Sequence, residues 1–422
     1  MLFVLRQRNF ALLWFAGLIS IMGDWMLRVA LPITVYELTG SAVATAGIVI
    51  AGLVPSLLFG SVAGVFVDRW DRKRTMVLAN LIRAPVLLLL LTVDSAGDVW
   101  AVYVVAFVSS SLGQFFSPAE NALLPELVGP EHLIPANALN TLNNNLARLI
   151  GPAVGGVVAG WYGLTGVVVA DSASFLIAGS LIALIAAPTR PPRDDPESGG
   201  VRGRWAALRD EWVGGMRLIR GNRSLRIVFG VYAISGFGEG LIGAAFPVYV
   251  ADVIKGGAQE AGWLMSGQAV GGLIGAFLIG SRARTITPLK LFAWGAIGTG
   301  AIDLLIFTYP VFISGVWLGV ALFIVVGLPI TAFFTGGMTT MQAETEDAYR
   351  GRVFGALNTT MALLMVVSAA IAGFATDRFG AVAVLSFDSL AYIASGIVAL
   401  KLMGAAIAAR ATTDRVTSGT AG

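Results

Sequence analysis

Long apolar runs, cut by charges and by glycine or proline turns, dominate the chain. Twelve stand out, at about 10–35, 43–67, 75–93, 99–118, 137–160, 164–187, 226–250, 259–281, 288–308, 311–337, 352–376 and 381–403, each near the roughly 20 residues that a helix needs to cross a bilayer. They do not alternate between apolar and polar residues as barrel strands do, so helices are the spanning element expected. The expectation is an all-α membrane protein of twelve transmembrane helices, divided into a six-helix bundle at 1–187, a linker at 188–225, a second bundle at 226–403 and a disordered tail at 404–422. Within the linker, Trp205, Leu208, Trp212, Met216 and Ile219 recur at helical spacing among Arg204, Arg209, Arg217 and Arg220, the pattern of a helix lying on the membrane surface or of a solvated connector.

Composition agrees with the runs. Hydrophobic residues make up 56% of the 422 and charged residues only 13%, where soluble domains carry about a quarter charged residues. Basic residues are placed unevenly. With the N-terminus in the cytoplasm, 23 of the 28 lysines and arginines fall in inner segments, Lys255 and Arg378 fall outside, and Arg28, Arg83 and Arg148 lie within spans. This bias predicts both termini on the cytoplasmic side of a plasma (inner) membrane. Arg6 and Arg8 precede an apolar stretch too long for a cleaved signal, so the first run is read as a span.

The chain also repeats itself. Asp24 and Pro32 map to Glu239 and Pro247, Gly47 to Gly262 and Gly60 to Gly275, all at an offset of 215. Further on, Phe116, Glu126, Ala138–Thr141 and Gly155 map to Phe334, Glu344, Ala356–Thr359 and Gly373 at 218, and Asp171-Ser172 maps to Asp388-Ser389 at 217. A nearly constant offset across several helices marks duplication, and parallel repeats of this kind build secondary transporters whose site lies between the halves.

Charges inside spans are costly and are functional candidates by default. Asp24 and Arg28 are four apart on one helix face, either a coupling site or a self-neutralised pair. Glu239 has Gly243 where Arg28 would fall, which makes it the stronger candidate for binding a proton. Arg83, Glu120 and Arg148 suggest a structural ion network towards the inner side, while Asp171, Asp303 and Asp388 suggest packing or helix-end roles. Trp25, Phe115, Phe116, Tyr232, Phe237, Phe246, Phe333 and Phe334 are cavity aromatics that would either hold an amphipathic substrate or pack against helices.

Several chemistries lack support. There is no cysteine, and the single histidine, His132, has no companions for a metal site. No Walker lysine motif occurs, which argues against ATP-driven pumping, and no nucleophile–base motif argues for an enzyme. No cofactor and no nucleic-acid partner is expected.

Two motifs carry a resemblance. Gly64, Asp68, Arg69, Arg72, Lys73 and Arg74 stand in a loop that resembles the G-x-x-x-D-R-x-x-R-[KR] signature of the major facilitator superfamily, and Gly151, Pro152, Gly155 and Gly156 resemble its G-P-x-x-G-G antiporter motif, although Ala138 and Ala147 stand where upstream glycines are usual. Gly23-Asp24, Ala30-Leu31-Pro32, Leu38–Ser41, Ser117-Pro118-Ala119, Leu124–Leu127, Ala136–Leu139 and Gly351-Arg352-Val353 are similar to the enterobactin and macrolide exporter (drug:proton antiporter-3) branch. The resemblance implies the two-bundle major facilitator fold and a cytoplasmic gate at the Asp68 loop, with Arg352 as a candidate partner. It also implies proton-coupled efflux of an amphipathic drug, siderophore or lipid-like metabolite by a monomer in the lipid bilayer. Alternatives are a uniporter or importer, or a non-transporting receptor or scaffold. The fourth span has no arginine between Trp100 and Pro118, so the arginine-based coupling of many drug/proton antiporters does not transfer.

Overall fold

The structure is a computed structural model. It describes the backbone of residues 2–60, 63–186, 200–282 and 286–419, and side chains within that range except at Leu2, 65, 68, 200–208, 282 and 403–419. Thirteen α-helices are formed among these residues. In order they are α1 (Arg8–Thr39), α2 (Ala42–Phe59), α3 (Ala63–Arg69), α4 (Arg72–Leu88), α5 (Val99–Val128), α6 (Leu133–Ala183), α7 (Gly200–Gly221), α8 (Arg223–Val248), α9 (Ala258–Arg282), α10 (Pro288–Thr308), α11 (Val316–Ala343), α12 (Arg350–Phe379) and α13 (Ala381–Gly419).

Among the described residues eleven helices are long and apolar enough to cross a membrane, and twelve crossings result because α6 supplies two. Gly163 breaks it at φ 63°, a left-handed value, so a first arm at 133–162 and a second at 164–183 run as separate helices. Only glycine adopts that conformation without a steric cost from Cβ. The second expected span is described as α2, ending at Phe59, and α3, starting at Ala63. The last helix continues to Gly419, where the sequence suggested a disordered tail from 404.

α7 docks on the second half. Gly215 lies against the main chain of Arg352, and the Trp212 indole donates to Thr360 Oγ1 at 3.2 Å. The exposed apolar face expected for a surface helix is therefore partly occupied by α12. The side chains of Arg204, Trp205 and Leu208 are outside the described residues.

Lipid is as apolar as a leucine side chain, so helices in a bilayer associate through close packing and hydrogen bonds rather than through release of water. The packing here is distributed unequally along the molecule. At the end that carries the chain termini, one buried cluster (Phe10, Leu13, Met76, Leu123, Leu139) belongs wholly to the first half. Another (Leu225, Tyr232, Phe292, Phe333, Leu357) belongs to the second half together with the linker helix α7. At the opposite end a single cluster joins Val29, Ile33, Ala42 and Ala46 of the first half to Leu241, Ala244, Val248, Leu264 and Ala372 of the second. The halves are thus sealed at one end and separate towards the other.

Small residues make the seal. Gly156 on the first arm of α6 meets Ala258 O and Gln259 of α9, and Gly262 on α9 meets Pro152 O. Gly373 on α12 meets Val43 and Ala46 of α2. A Cβ added at Gly262 would run into the backbone of the other half. Gly262→Val is expected to weaken the folded bundle by about 1–3 kcal/mol, as overpacking does. A thermal melt of the purified variant should show the drop, and an unchanged melt would contradict this account of the seal.

Candidate functional site: charged groups between the halves

The repeat matches two acidic positions, Asp24 on α1 and Glu239 on α8. Glu239 is exposed although it lies in mid-span, and it interacts electrostatically with Arg148 on α6 of the other half. It therefore faces the open space between the bundles. Arg148 is also exposed and donates to Gln268 Oε1 of α9 at 3.2 Å, a further link across the halves.

Asp24 is held differently. Its ion-pair partner is Arg83 on α4, with Nη1 3.8 Å from Oδ2. Arg28, one turn away, instead lies over the Trp25 ring at 5.2 Å. Arg83 is fixed on three sides: it donates to Ser109 O through Nε (3.1 Å) and Nη2 (2.7 Å), and its guanidinium sits 5.0 Å from the Phe175 ring centroid. The expected network of Arg83, Glu120 and Arg148 does not form. Among the described residues no ion pair links any two of them, because Arg83 turns to Asp24 and Arg148 crosses to α9.

Behind each acidic position lies a second carboxylate that the sequence reading took as packing. Asp171, on the second arm of α6, is fully buried with its Oδ1 against Gly23 of α1, and it accepts a hydrogen bond from Ser174 Oγ at 3.0 Å. Asp388 on α13 is 2% exposed with its Oδ1 against Gly238 of α8. Each aspartate therefore touches the glycine that immediately precedes the acidic residue of the paired helix. A side chain at Gly23 or Gly238 would occupy the carboxylate's place. Asp303 on α10 is buried as well, within electrostatic range of Asp388 and Glu239.

The candidate aromatics divide. Tyr232 and Phe333 are buried with Phe292 in the core of the second half, the two phenylalanine rings stacked at 4.7 Å, so they support the bundle rather than line the cavity. Phe246 packs with Tyr249 and Phe323 at the sealed end, and Phe237 packs against the same cluster. Phe115 stacks on Trp70 at 5.8 Å beside Phe66 and Phe59, and Phe116 packs against the first half's terminal-end cluster. Phe334 is 40% exposed, and Trp25 lies beneath Arg28 beside Gly151 of α6. Gly155 meets Met26 of α1. The glycine–proline motif of α6 is thus a packing surface for α1 on one side and α9 on the other.

In the basic loop, Asp71 caps α4 by accepting from Arg74 N at 2.7 Å. Arg72 bonds Glu126 Oε1 at 2.7 Å and Ala122 O at 2.9 Å, tying α4 to the end of α5 within one half. Arg352 lies over the Tyr349 ring at 5.6 Å. The Asp68 side chain lies outside the described residues, so the expected bond across the gate stays an expectation.

The sealed end has its own lock, which the sequence reading missed. Asp377, at the end of α12, accepts from the first-turn amide of Ala42 (2.7 Å), from Val43 N (3.4 Å) and from Ser41 Oγ (3.2 Å) at the start of α2. Nearby, Tyr36 Oη donates to Asp252 Oδ2 at 2.5 Å, again between the halves. A signal was present: Gly373, Asp377 and Arg378 repeat the G-x-x-x-D-R spacing of Gly64, Asp68 and Arg69. The first copy ends the second expected span at one end of the molecule. The second copy ends α12 at the other.

The comparisons with known proteins fit this geometry. The sequence profile of the transmembrane secretion effector family matches residues 2–417. The chain belongs to this family of the major facilitator superfamily. Relatives include macrolide efflux protein A of Streptococcus pyogenes, 27% identical over 375 residues, with 88% of this chain and 90% of that protein covered. The multidrug efflux pump Tap of Mycolicibacterium fortuitum is 27% identical over 414 residues, covering 93% and 95%. An enterobactin exporter of Escherichia coli O1:K1 / APEC is 25% identical over 437 residues, covering 97% and 95%. Among solved structures, a bacterial homologue of the iron transporter ferroportin, in an inward-facing state, shares the fold with a TM-score of 0.74 at 15% identity, covering 94% of this chain and 98% of that one. The protein is thus a multi-pass member of a transmembrane transporter family.

The Asp377 cap combines a charge with the positive end of a helix, an arrangement typically worth 0.3–1 kcal/mol and up to about 2 when partly buried. Asp377→Asn is expected to raise the population open at this end severalfold. Because the chain has no cysteine, spin labels on one introduced cysteine in α2 and one in α12 would report the distance directly. An unchanged distance distribution would show that Asp377 does not hold the end closed.

Proposed function

We propose that the protein is a proton-coupled exporter of amphipathic small molecules that works as a monomer by alternating access in the plasma membrane, with both termini in the cytoplasm. The observation that carries this reading is Glu239, a carboxylate exposed in the space between the halves in mid-span, facing an arginine of the opposite half. Ionisable groups so deep in a bilayer are retained where they bind ions or substrate. Efflux is supported by relatives whose names describe export of macrolides, of multiple drugs and of enterobactin. The orientation follows from the excess of lysine and arginine in the segments near the termini.

On this reading the state described here is open to the cytoplasm. An amphipathic molecule enters between the terminal-end clusters and meets Glu239, Arg148 and the exposed face of Phe334. Rocking of residues 1–187 against 226–403 breaks the glycine seal and the Asp377 cap, and it releases the molecule outside. Protons entering from outside bind carboxylates between the halves and are delivered inward on the return.

Proteoliposomes loaded with ethidium or with radiolabelled erythromycin test the reading. An imposed pH gradient is expected to drive transport, and Glu239→Gln is expected to reduce that drive at least tenfold. Transport that ignores the gradient, or a Glu239→Gln protein driven as well as wild type, would overturn proton coupling at this residue.

A further inference from the structure

The two halves use the same scaffold for their inner carboxylates but neutralise them differently. In the first half Asp24 and Asp171 share Arg83, which pairs with Asp24 and acts electrostatically on Asp171. Among the described residues the second half shows no such arginine. The repeat carries Arg83 to Thr299 at an offset of 216, between the offsets of the neighbouring helices. Packing supports that alignment, since Gly179 lies against Asn80 and Leu81 while its counterpart Gly396 lies against Ala293 and Ile297. Thr299 is 4% exposed and its hydroxyl has no hydrogen-bond partner. One turn further along α10, where the first half has leucines, stands Asp303.

The second half thus gains a carboxylate where it loses a cation. Glu239, Asp303 and Asp388 act on one another electrostatically. Their proximity follows from packing: Asp388 touches Gly238, and Gly300 of α10 lies against Ser389 O and Ile393 of α13. Asp388 Oδ2 is sealed from solvent without a hydrogen-bond partner, like Thr299 Oγ1. Tyr392, hydrogen-bonded to Ser235 at 2.5 Å, borders all three carboxylates. The cation that acts on the group is Arg148 of the opposite half, through Glu239. One arginine offsets one negative charge, and two further unpaired charges in an apolar interior would be prohibitive.

We propose that Glu239, Asp303 and Asp388 form one proton-binding pocket that holds two protons in the state described here, with Glu239 as its face on the cavity. The pocket rests on the proton-coupled reading above and extends it to a stoichiometry and a trigger. Each bound proton converts a carboxylate to a neutral acid, with no other chemistry. Asp303 and Asp388 form the sealed store behind α8. Arg148 belongs to the other half, so rocking changes its distance from Glu239 and thereby changes how many protons the pocket retains. Coupling would then arise from one arginine moving over three carboxylates rather than from the titration of one residue.

Infrared spectroscopy of the full-length protein in lipid nanodiscs at neutral pH reads the pocket directly, through the carbonyl stretch of protonated carboxylic acids. Asp388→Asn and Asp303→Asn are each expected to remove one such band. Thr299→Arg, which gives the second half the cation of the first, is expected to ionise one acid of the pair and remove one band. Variants that leave the bands unchanged would overturn the pocket, as would sodium chloride that abolishes the bands at fixed pH, the mark of a metal-cation site. If the variants fail to insert, wild-type protein carrying isotope-labelled aspartate decides the matter: no label-shifted acid band at neutral pH overturns the proposal. Should the bands behave as expected while a pH gradient fails to drive ethidium efflux, the pocket stands and the exporter coupling falls.

Discussion

The structure depends on how closely two helix backbones can approach inside a bilayer. With no hydrophobic force between helices, contact between the halves is strong only where side chains are small enough for main chains to meet. Gly156, Gly262 and Gly373 supply that at one end. At the other end each half closes its own core, around Phe10 and Met76 in the first and around Phe292 and Phe333 in the second. The open space between the bundles, and the charged groups able to face it, follow from this distribution of glycines.

The same close approach shapes the electrostatics. Gly23 and Gly238 each leave room for a buried aspartate of the adjoining helix, so duplication has given both halves a carboxylate in a place that costs energy to occupy. The halves then diverge. Arg83 is held by Ser109 and Phe175 and serves as a fixed counter-charge, which suits a structural support. Thr299 leaves the second half without one. Two changes between the copies, Arg83 against Thr299 and Leu87 against Asp303, thus set two carboxylates that share an arginine apart from a group of three that meets its cation across the halves.

Much of the fold was legible in the sequence because length and hydropathy are one-dimensional quantities. The twelve crossings, the repeat and the pairing of Asp24 with Glu239 on matched helices all follow from spacing. The partner of Asp24 did not, because Arg28 is near in sequence while Arg83 arrives by helix packing from another element. Tyr232 and Phe333 could not be separated from cavity residues by type, since an aromatic ring in a span looks the same whether it faces a core or a channel. Asp171 and Asp388 were visible as repeat mates, yet their depth depends on which glycine they oppose. Asp377 carried a readable G-x-x-x-D-R signature, but its role required knowing which helix start lies opposite.

The Asp377 cap has a consequence for how this lock can drift under mutation. Two of its three donors are main-chain amides of α2, which every residue except proline possesses. The donor groups therefore survive any change at positions 42 and 43 that avoids proline and respects the close packing there, and the side-chain dependence of the lock is concentrated in one carboxylate. Such a lock presents a small mutational target. Its strength can be set by a single codon, so that variants with a looser or tighter seal at this end lie one substitution apart without any redesign of the interface.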